Sequence, residues 1–318
     1  MTIESLPQLS VVVPVYRAAG TLEQLHARLV SALTEAGYDF EILFIEDCGG
    51  DNSWDVIRAL SARDRRVRGI SFSRNYGQHN ALLCGIRMAR GEICVTLDDD
   101  LQHPPEEIET LLAELRKGHD VVYGAPMQQP HGLLRGLASR ITKLTLRRTM
   151  GVSAAEHVSA FRVFHTRIRK SFEDFRSPVV NIDVLLTWGT KRFSYVTVRH
   201  DVRQVGESGY TLRKLINHAV NMLTGFSVFP LQLASLLGLC FGFVGLLALA
   251  YVLVRYMIEG SAVAGFPFLA SLISILSGVQ LLTLGIFGEY LARIHLRMMD
   301  QPAYSIAETV ASSTGEKD

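Results

Sequence analysis

Two stretches near the C-terminal end constrain this chain more than anything else in it. Phe229 to Val254 and Phe266 to Gly288 contain no charged residue. At a rise of ~1.5 Å per residue, a helix of either length crosses a hydrocarbon core of about 30 Å. Backbone in hydrocarbon must satisfy its own hydrogen bonds, so helices are expected at about 229–254 and 266–288. Arg255 is the one basic residue in the turn between them, whereas Arg213, Lys214, Arg293 and Arg297 flank the pair outside. The bias of basic residues toward the cytoplasmic side then predicts a two-span hairpin in the inner (plasma) membrane, with both termini cytoplasmic. Gly238, Gly242, Gly245, Gly278 and Gly285 permit close helix packing, and with it a homo-oligomer. The segment 211–228 reads as a juxtamembrane amphipathic helix, and 291–318 as a cytoplasmic tail, polar and loose after Asp300.

Residues 1–210 have a different texture. Leu9 to Val15 is apolar and β-branched, a buried strand ending at Pro14. Leu22, Leu25, Leu29 and Leu33 form one helical stripe, with Thr21 and Gln24 placed for a capping box. Strands are expected at Glu41–Ile45, Val67–Phe72, Ile93–Leu97, Asp120–Tyr123 and Phe193–Val198, with a strand-like run beginning at Ser159. Helices are expected at 53–62, 81–89 and 105–117. Strands alternating with helices predict a parallel, three-layer α/β domain. Neither a GxGxxG nor a P-loop occurs, so dinucleotide and ATP sites of those types find no support. A net charge of +1 gives no general attraction to nucleic acid. The four cysteines lie far apart without CxxC or Cys/His spacing, so neither a disulfide nor zinc is expected. Met1 to Leu9 lacks the basic and apolar regions of a secretory signal.

The chemistry concentrates at Asp98-Asp99-Asp100-Leu101-Gln102-His103-Pro104-Pro105-Glu106. Three carboxylates follow a strand, at the edge where open α/β sheets bind ligands. In extended backbone Asp98 and Asp100 would point one way and Asp99 the other. Clustered carboxylates repel unless a cation or proton neutralises them. Mg²⁺ or Mn²⁺ shared with a substrate diphosphate suits such a set. The competing reading, an acidic solvated turn, is weakened by the strand before and the Pro-Pro after.

From Val121 to Ala155 no acidic residue occurs, and apolar residues interleave with Arg135, Arg140, Lys143, Arg147 and Arg148. About 132–150 reads equally as a basic amphipathic helix on an anionic bilayer or as an ordinary surface helix. Nucleic-acid binding is disfavoured, because no aromatic residue interleaves with the basic ones. Arg203 leads into Gly206-Glu207-Ser208-Gly209, either a phosphate-wrapping turn or a plain surface loop.

Taken together these pieces resemble family-2 glycosyltransferases of the polyprenyl-phosphate type, the group of the dolichyl-phosphate mannose synthases and the bacterial undecaprenyl-phosphate aminoarabinose transferases. The resemblance runs from about Leu9 to Tyr304. It rests on Val12-Val13-Pro14-Val15-Tyr16, Ile45-Glu46-Asp47, Ser73-Arg74-Asn75-Tyr76-Gly77-Gln78-His79, the Asp98–Glu106 run, Arg203-x-x-Gly206-x-Ser208 and Gly288-Glu289-Tyr290-Leu291-Ala292-Arg293. It implies a GT-A-like Rossmann-type catalytic domain. Pro14, Tyr16, Ile45 and Asp47 would line the nucleotide pocket, with Asp99 and Ser208 also facing substrate. Asp98, Asp100 and Gln102 would hold the divalent ion, with Asp98 and Asp100 the catalytic carboxylates. Arg135 and Ser139 would meet the acceptor phosphate, and Arg203 would close over donor phosphates. The implied activity is inverting, metal-dependent sugar transfer from a nucleotide-sugar donor to a polyprenyl phosphate at the lipid bilayer. The chain departs from the family pattern at Arg17-Ala18, Gly124-Ala125-Pro126, Gly209 and Asp99. A processive polysaccharide synthase is disfavoured because no Gln-x-x-Arg-Trp occurs and two spans are too few for a conduit. A non-catalytic membrane scaffold that binds the lipid carrier is the alternative from another class.

Overall fold

The computed structural model describes residues 6–126, 157–201, 229–259 and 266–311. The protein divides into two compact units, one of Met1–Leu215 with Asp300–Asp318 and one of Ile216–Met299.

The first unit is built on an eight-stranded sheet. Its strands are β1 (Leu9–Val15), β2 (Phe40–Glu46), β3 (Val67–Phe72), β4 (Ile93–Thr96), β5 (Val121–Pro126), β6 (Arg162–His165), β7 (Phe193–Val198) and β8 (Ile306–Ala311), in the spatial order β7-β5-β6-β4-β1-β2-β3-β8. Strand β1 is buried along all seven residues and pairs in parallel with β2 on one side and β4 on the other. A parallel strand covered on both faces should read as a continuous apolar run, as Leu9 to Val15 does. The helices are α1 (Leu22–Glu35), α2 (Ser53–Arg63), α3 (Gln78–Met88), α4 (Ile108–Leu115) and α5 (Ile182–Gly189). Leu22, Leu25, Leu29 and Leu33 of α1 join Ile57 and Leu60 of α2, and Ile108 and Leu111 of α4, in one core against Val11, Val13 and Val95. Each such side chain contributes about 1.5–3 kcal/mol by leaving water. Helix α3 covers the opposite face, where Gly85 admits the side chains of Val12 and Ile45. The three-layer α/β expectation therefore holds.

Several local expectations do not. The sheet is mixed, because β6 runs antiparallel to both β4 and β5, and β8 antiparallel to β3. Residue 159 precedes β6, which begins at Arg162. The capping box at Thr21 is absent: its hydroxyl donates to the Ala18 carbonyl at 3.0 Å and no side chain caps α1. The expected helix 105–117 is a 3₁₀ turn, Pro105–Glu107, followed by α4. Proline does open that turn, as its fixed φ favours.

The tail is the largest correction. Residues 306–311, expected to be loose, form edge strand β8 on β3. A Cβ on Gly69 would fall 2.7 Å from Val310 Cγ2 and 2.4 Å from Ile57 Cγ2, so the missing side chain at Gly69 lets strand and helix close. Trp54 Nε1 donates to Glu308 at 2.9 Å. The exposed pattern along β8 explains why its sequence reads as polar coil: an edge strand needs only one partner.

The second unit holds α6 (Phe229–Glu259) and α7 (Phe266–Met298), which pack against one another. Their windows Leu231–Arg255 and Ile275–Ala292 are long and apolar enough to cross a membrane and are not buried within the protein. Leu239, Leu246 and Leu281 are more than 60% exposed, a surface that water does not favour. The span glycines do not serve the α6–α7 contact: a Cβ at Gly238, Gly242, Gly245, Gly278 or Gly285 would meet nothing within 4 Å.

At the far end of the sheet Asp120 accepts from Arg192 Nε and Arg167 Nη2, at 2.9 and 2.8 Å, and from Thr190 at 2.5 Å. Burial alone would raise its carboxyl, but the donors from Arg192, Thr190 and Arg167 outweigh it and hold the group at about 2, below the ordinary 3.8. That difference is worth roughly 2 kcal/mol at neutral pH. A depressed carboxyl stabilises above the unfolded value, and the contribution fades as pH falls from about 4 toward 2. Asp120→Asn is expected to lower the melting temperature at pH 7, and the gap to wild type to narrow in melts between pH 4 and pH 2.

Candidate active site

The sheet order places the C-terminal ends of β1, β2 and β4 side by side, with Pro14 opposite Ile45 and Val12 opposite Thr96. Three loops leave this edge, and the backbone hydrogen bonds that a strand would have made there are met by side chains. Asp47 N donates to the Val15 carbonyl at 2.9 Å, extending the ladder by one residue. Tyr16 N donates to Asp99 Oδ2 at 2.9 Å. Arg17 Nε reaches the Gly49 carbonyl at 2.9 Å, while Ala18 N and Ala19 N donate to Ser53 Oγ and Asp51 Oδ2. The first two loops are thus stitched to each other, and Asp99 stitches the third to the first.

Backbone strain gathers at the same edge. Arg17, Cys48 and Leu101 adopt φ of 56°, 50° and 63°, and each lies within five residues of the end of β1, β2 or β4. Non-glycine residues in this region cost about 1 kcal/mol or more and persist where surrounding contacts over-determine them. Leu101 is 1% exposed, so its buried side chain anchors the strained turn.

The carboxylate run is a turn, not the extended segment expected from sequence. Asp99 and Asp100 occupy turn positions, and Gln102 N donates to Asp100 Oδ1 at 3.1 Å. Asp98 Oδ1 accepts from Gln78 Nε2 at 2.6 Å. Asp99, whose charge departs from the family pattern, acts as a brace for the β1 loop. Among the described residues no group of three or more His, Cys, Asp or Glu side chains converges as a metal cage. The donor set of Asp98, Asp100 and Gln102 has two carboxylates and an amide. Such a partial shell of hard oxygens fits an ion of the Mg²⁺ type, which keeps waters or substrate phosphates in its remaining positions.

Asp47 is only 3% exposed, and its two oxygens accept from Tyr76 N at 2.6 Å and Gly77 N at 2.7 Å. Burial pushes its carboxyl above the ordinary value, Glu46 adds to the rise, and the two N–H donors oppose it. Gly77 stands at φ 96°, where a side chain would be strained, and starts α3. Tyr16 is half-exposed at 48% beside Arg17, whose guanidinium lies 5.3 Å from the ring centroid. Ile45 is fully buried beneath the edge.

Two contributors were not identified from sequence. Gln78 lies inside one of the family motifs but gave no separate signal. Arg28 on α1 forks onto Glu106, at 3.0 and 2.7 Å, and reaches Asp201 Oδ2 at 3.3 Å. The Arg28 hydrogen bond lowers the Glu106 carboxyl against the opposing effect of burial. Asp201 N donates to the Gln102 carbonyl at 3.0 Å, so this cluster ties the carboxylate turn to the segment preceding Arg203. His103 is buried, and burial, His200 and Arg162 push its imidazole down to about 3, leaving it neutral. Among the described residues its Nδ1 has no hydrogen-bond partner. Arg135, Ser139, Arg203 and Ser208, together with the segments 132–150 and 211–228 expected to be amphipathic helices, lie outside the described residues.

Comparison with known proteins agrees with this geometry. The family profile described as "Glycosyl transferase family 2" matches residues 10–175. A protein of Pseudomonas aeruginosa (strain LESB58) named undecaprenyl-phosphate 4-deoxy-4-formamido-L-arabinose transferase is 33% identical, covering 96% of this chain and 91% of its own. Proteins of the same name from Shewanella sediminis and Proteus mirabilis are 31% and 30% identical, covering 96% and 100% of this chain and 93% and 98% of their own. Among solved structures, glucosyl-3-phosphoglycerate synthase from Mycobacterium tuberculosis, crystallised with Mn²⁺, UDP and its product, matches with a TM-score of 0.52. It is 18% identical, with 69% of this chain and 78% of that one covered. Mannosyl-3-phosphoglycerate synthase from Rubrobacter xylanophilus gives a TM-score of 0.50 at 16% identity, with 68% of this chain and 72% of that one covered. These neighbours bear out the GT-A-like fold.

Asp47→Asn replaces one accepting oxygen with an amide that cannot accept, leaving Tyr76 N or Gly77 N unpaired. The expected loss is about 1–3 kcal/mol in urea unfolding of the full-length protein.

Proposed function

The chain belongs to glycosyltransferase family 2, and from that premise we propose that it transfers a sugar, with inversion, from a nucleotide-sugar donor to undecaprenyl phosphate or a similar polyprenyl phosphate. The observation that carries this reading is the braced turn Asp98–Gln102 at the joint edge of β1, β2 and β4, in a protein that aligns almost end to end with transferases named for that acceptor. The nucleoside diphosphate sits over this edge, with Tyr16, Pro14 and Asp47 toward the nucleotide and Asp98, Asp100 and Gln102 toward the diphosphate. Asp98, Asp100 and Gln102 would hold a divalent ion, Mg²⁺ or Mn²⁺, which would supply Lewis-acid stabilisation of the leaving diphosphate.

The acceptor explains why the site needs no strong base. A phosphate monoester has its second pKa near about 6, so the attacking oxygen is already anionic around neutrality. Its attack on the anomeric carbon forms the new phosphate–sugar bond as the bond to the diphosphate breaks. No proton has to be removed. Positioning and charge neutralisation then dominate, and Arg135 and Ser139 on the acceptor side with Arg203 on the donor side fill those roles.

The membrane anchoring follows the same reading. The strand β8 that follows the second apolar helix pairs with β3 of the sheet that precedes the first. An even number of crossings is the simplest path, and the basic residues outside the pair favour the cytoplasmic face for both termini.

The test is transfer of label from a panel of UDP-, GDP- and dTDP-sugars to undecaprenyl phosphate by the full-length protein in detergent. A chloroform-extractable product that disappears with EDTA and returns with Mn²⁺ or Mg²⁺ is expected. Lipid binding without product from any donor would favour the scaffold instead. Asp100→Asn is expected to lower turnover by roughly 10²–10³-fold, the scale of losing one charge-stabilising group, with lipid binding retained. Arg135→Ala is expected to raise KM for the lipid phosphate more than for the donor, and an unchanged lipid KM would remove that role.

A further inference from the structure

The segment that returns from the apolar helices does more than complete the sheet. Between α7 and β8, residues 303–305 run along the loop joining β3 to α3. Ser73 N donates to the Ser305 carbonyl at 3.0 Å. Asn80 Nδ2, at 5% exposure for the residue, donates to the Ala303 carbonyl and to Pro178 O. The Tyr304 ring stacks on Phe72, centroids 5.3 Å apart and planes within 5°. Phe72 meets Tyr76 edge-on at 5.6 Å. Arg87 lies 6.0 Å from the Tyr304 centroid, so both sides of the contact are packed.

The same loop, with the first residue of α3, contacts the edge where β2 and β4 end. Tyr76 N and Gly77 N hold the Asp47 carboxylate, Asn75 Nδ2 donates to the Asp47 carbonyl at 3.1 Å, and Gln78 Nε2 holds Asp98 Oδ1. A continuous series of contacts therefore runs from Tyr304 through Phe72 and Tyr76 to Asp47, and from Ala303 through Asn80 on α3 to its first residue, Gln78, and so to Asp98. A stacked aromatic pair adds attraction beyond its buried area, which favours one conformation of the loop it packs on.

We infer that residues 303–305 are a positioning element of the donor site, through which the strand returning from the apolar helices holds the 73–78 loop, and with it Asp47 and Asp98, ready for the nucleoside diphosphate. The inference rests on the donor reading above for its ligand, and on the contacts alone for the hold on the loop. Tyr304 touches no reacting group; it acts through Phe72 and Tyr76. The consequence is that donor affinity depends on residues that follow the membrane-spanning helices, far in sequence from any motif of the site.

The test uses the full-length protein in detergent, with Tyr304→Ala, Tyr304→Phe and a control, Glu308→Ala. The control removes the Trp54 and Arg58 contacts farther along β8 without touching the loop. Tyr304→Ala is expected to raise donor KM by roughly tenfold while kcat and lipid KM stay within about threefold, the pattern of lost ground-state binding. Amide exchange at Tyr76 and Gly77 is expected to quicken by about tenfold, because that loop opens locally. Tyr304→Phe keeps the stack and should restore both readouts, whereas Glu308→Ala should lower the melting temperature and leave donor KM alone. Wild-type exchange and donor KM in Tyr304→Ala overturn the inference, and so does an equal rise in donor KM in Glu308→Ala. If the wild type uses no donor, the functional reading fails instead, and the exchange rates alone decide whether the tail holds the loop.

Discussion

Strand β1 fixes where the chemistry of this protein can sit. It is buried throughout and hydrogen-bonded in parallel on both sides, and its pairing ends at Val15. A parallel neighbour on each side forces all three C-terminal ends to one edge, so the loops at 16–20, 47–52 and 97–103 have no other place to go. The unpaired backbone donors at that edge then have to be satisfied. Asp47, Asp51, Ser53 and Asp99 do so, which is why acidic residues are needed there before any ligand arrives.

That arrangement gives the acidic edge a graded character. Asp99, Asp51 and Asp47 commit carboxylate oxygens to backbone N–H groups and set the shape of the loops. Asp98 accepts from Gln78 Nε2 and Asp100 from the Gln102 backbone, which orients the carboxylates within the same turn. Left-handed backbone at Arg17, Cys48 and Leu101 marks the same edge. Strain held by packing around a site is the usual signature of a geometry that function, not folding, requires.

The two units follow different physics. The α/β unit is stabilised by side chains removed from water, with the interlocked leucines of α1 and α4 on one face and α3 on the other. The paired helices α6 and α7 present large apolar side chains outward, a surface that water does not favour. The polypeptide joins them twice, before α6 and after α7. The second connection carries the residues that pack on the 73–78 loop.

Much of this was legible in the residues alone. The apolar run Val67–Phe72 gave its strand to the residue, and the run from Leu9 gave β1 to within one residue, the strand continuing past Pro14 to Val15. The leucine stripe at 22, 25, 29 and 33 gave the buried face of α1, and uncharged length gave α6 and α7, because period and hydrophobicity are local properties. The Asp98–Glu106 run with its flanking strand marked, for the same reason, a carboxylate turn at the end of β4. Local pattern carries no information about partners distant in sequence. The antiparallel direction of β6, the pairing of β8 with β3, and the bonds from Tyr16 to Asp99, Gln78 to Asp98 and Arg28 to Glu106 were decided by the tertiary structure. Each depends on which segments the sheet order brings together, and a polar edge strand such as Ile306–Ala311 has no apolar period of its own until β3 and Gly69 provide the surface it completes.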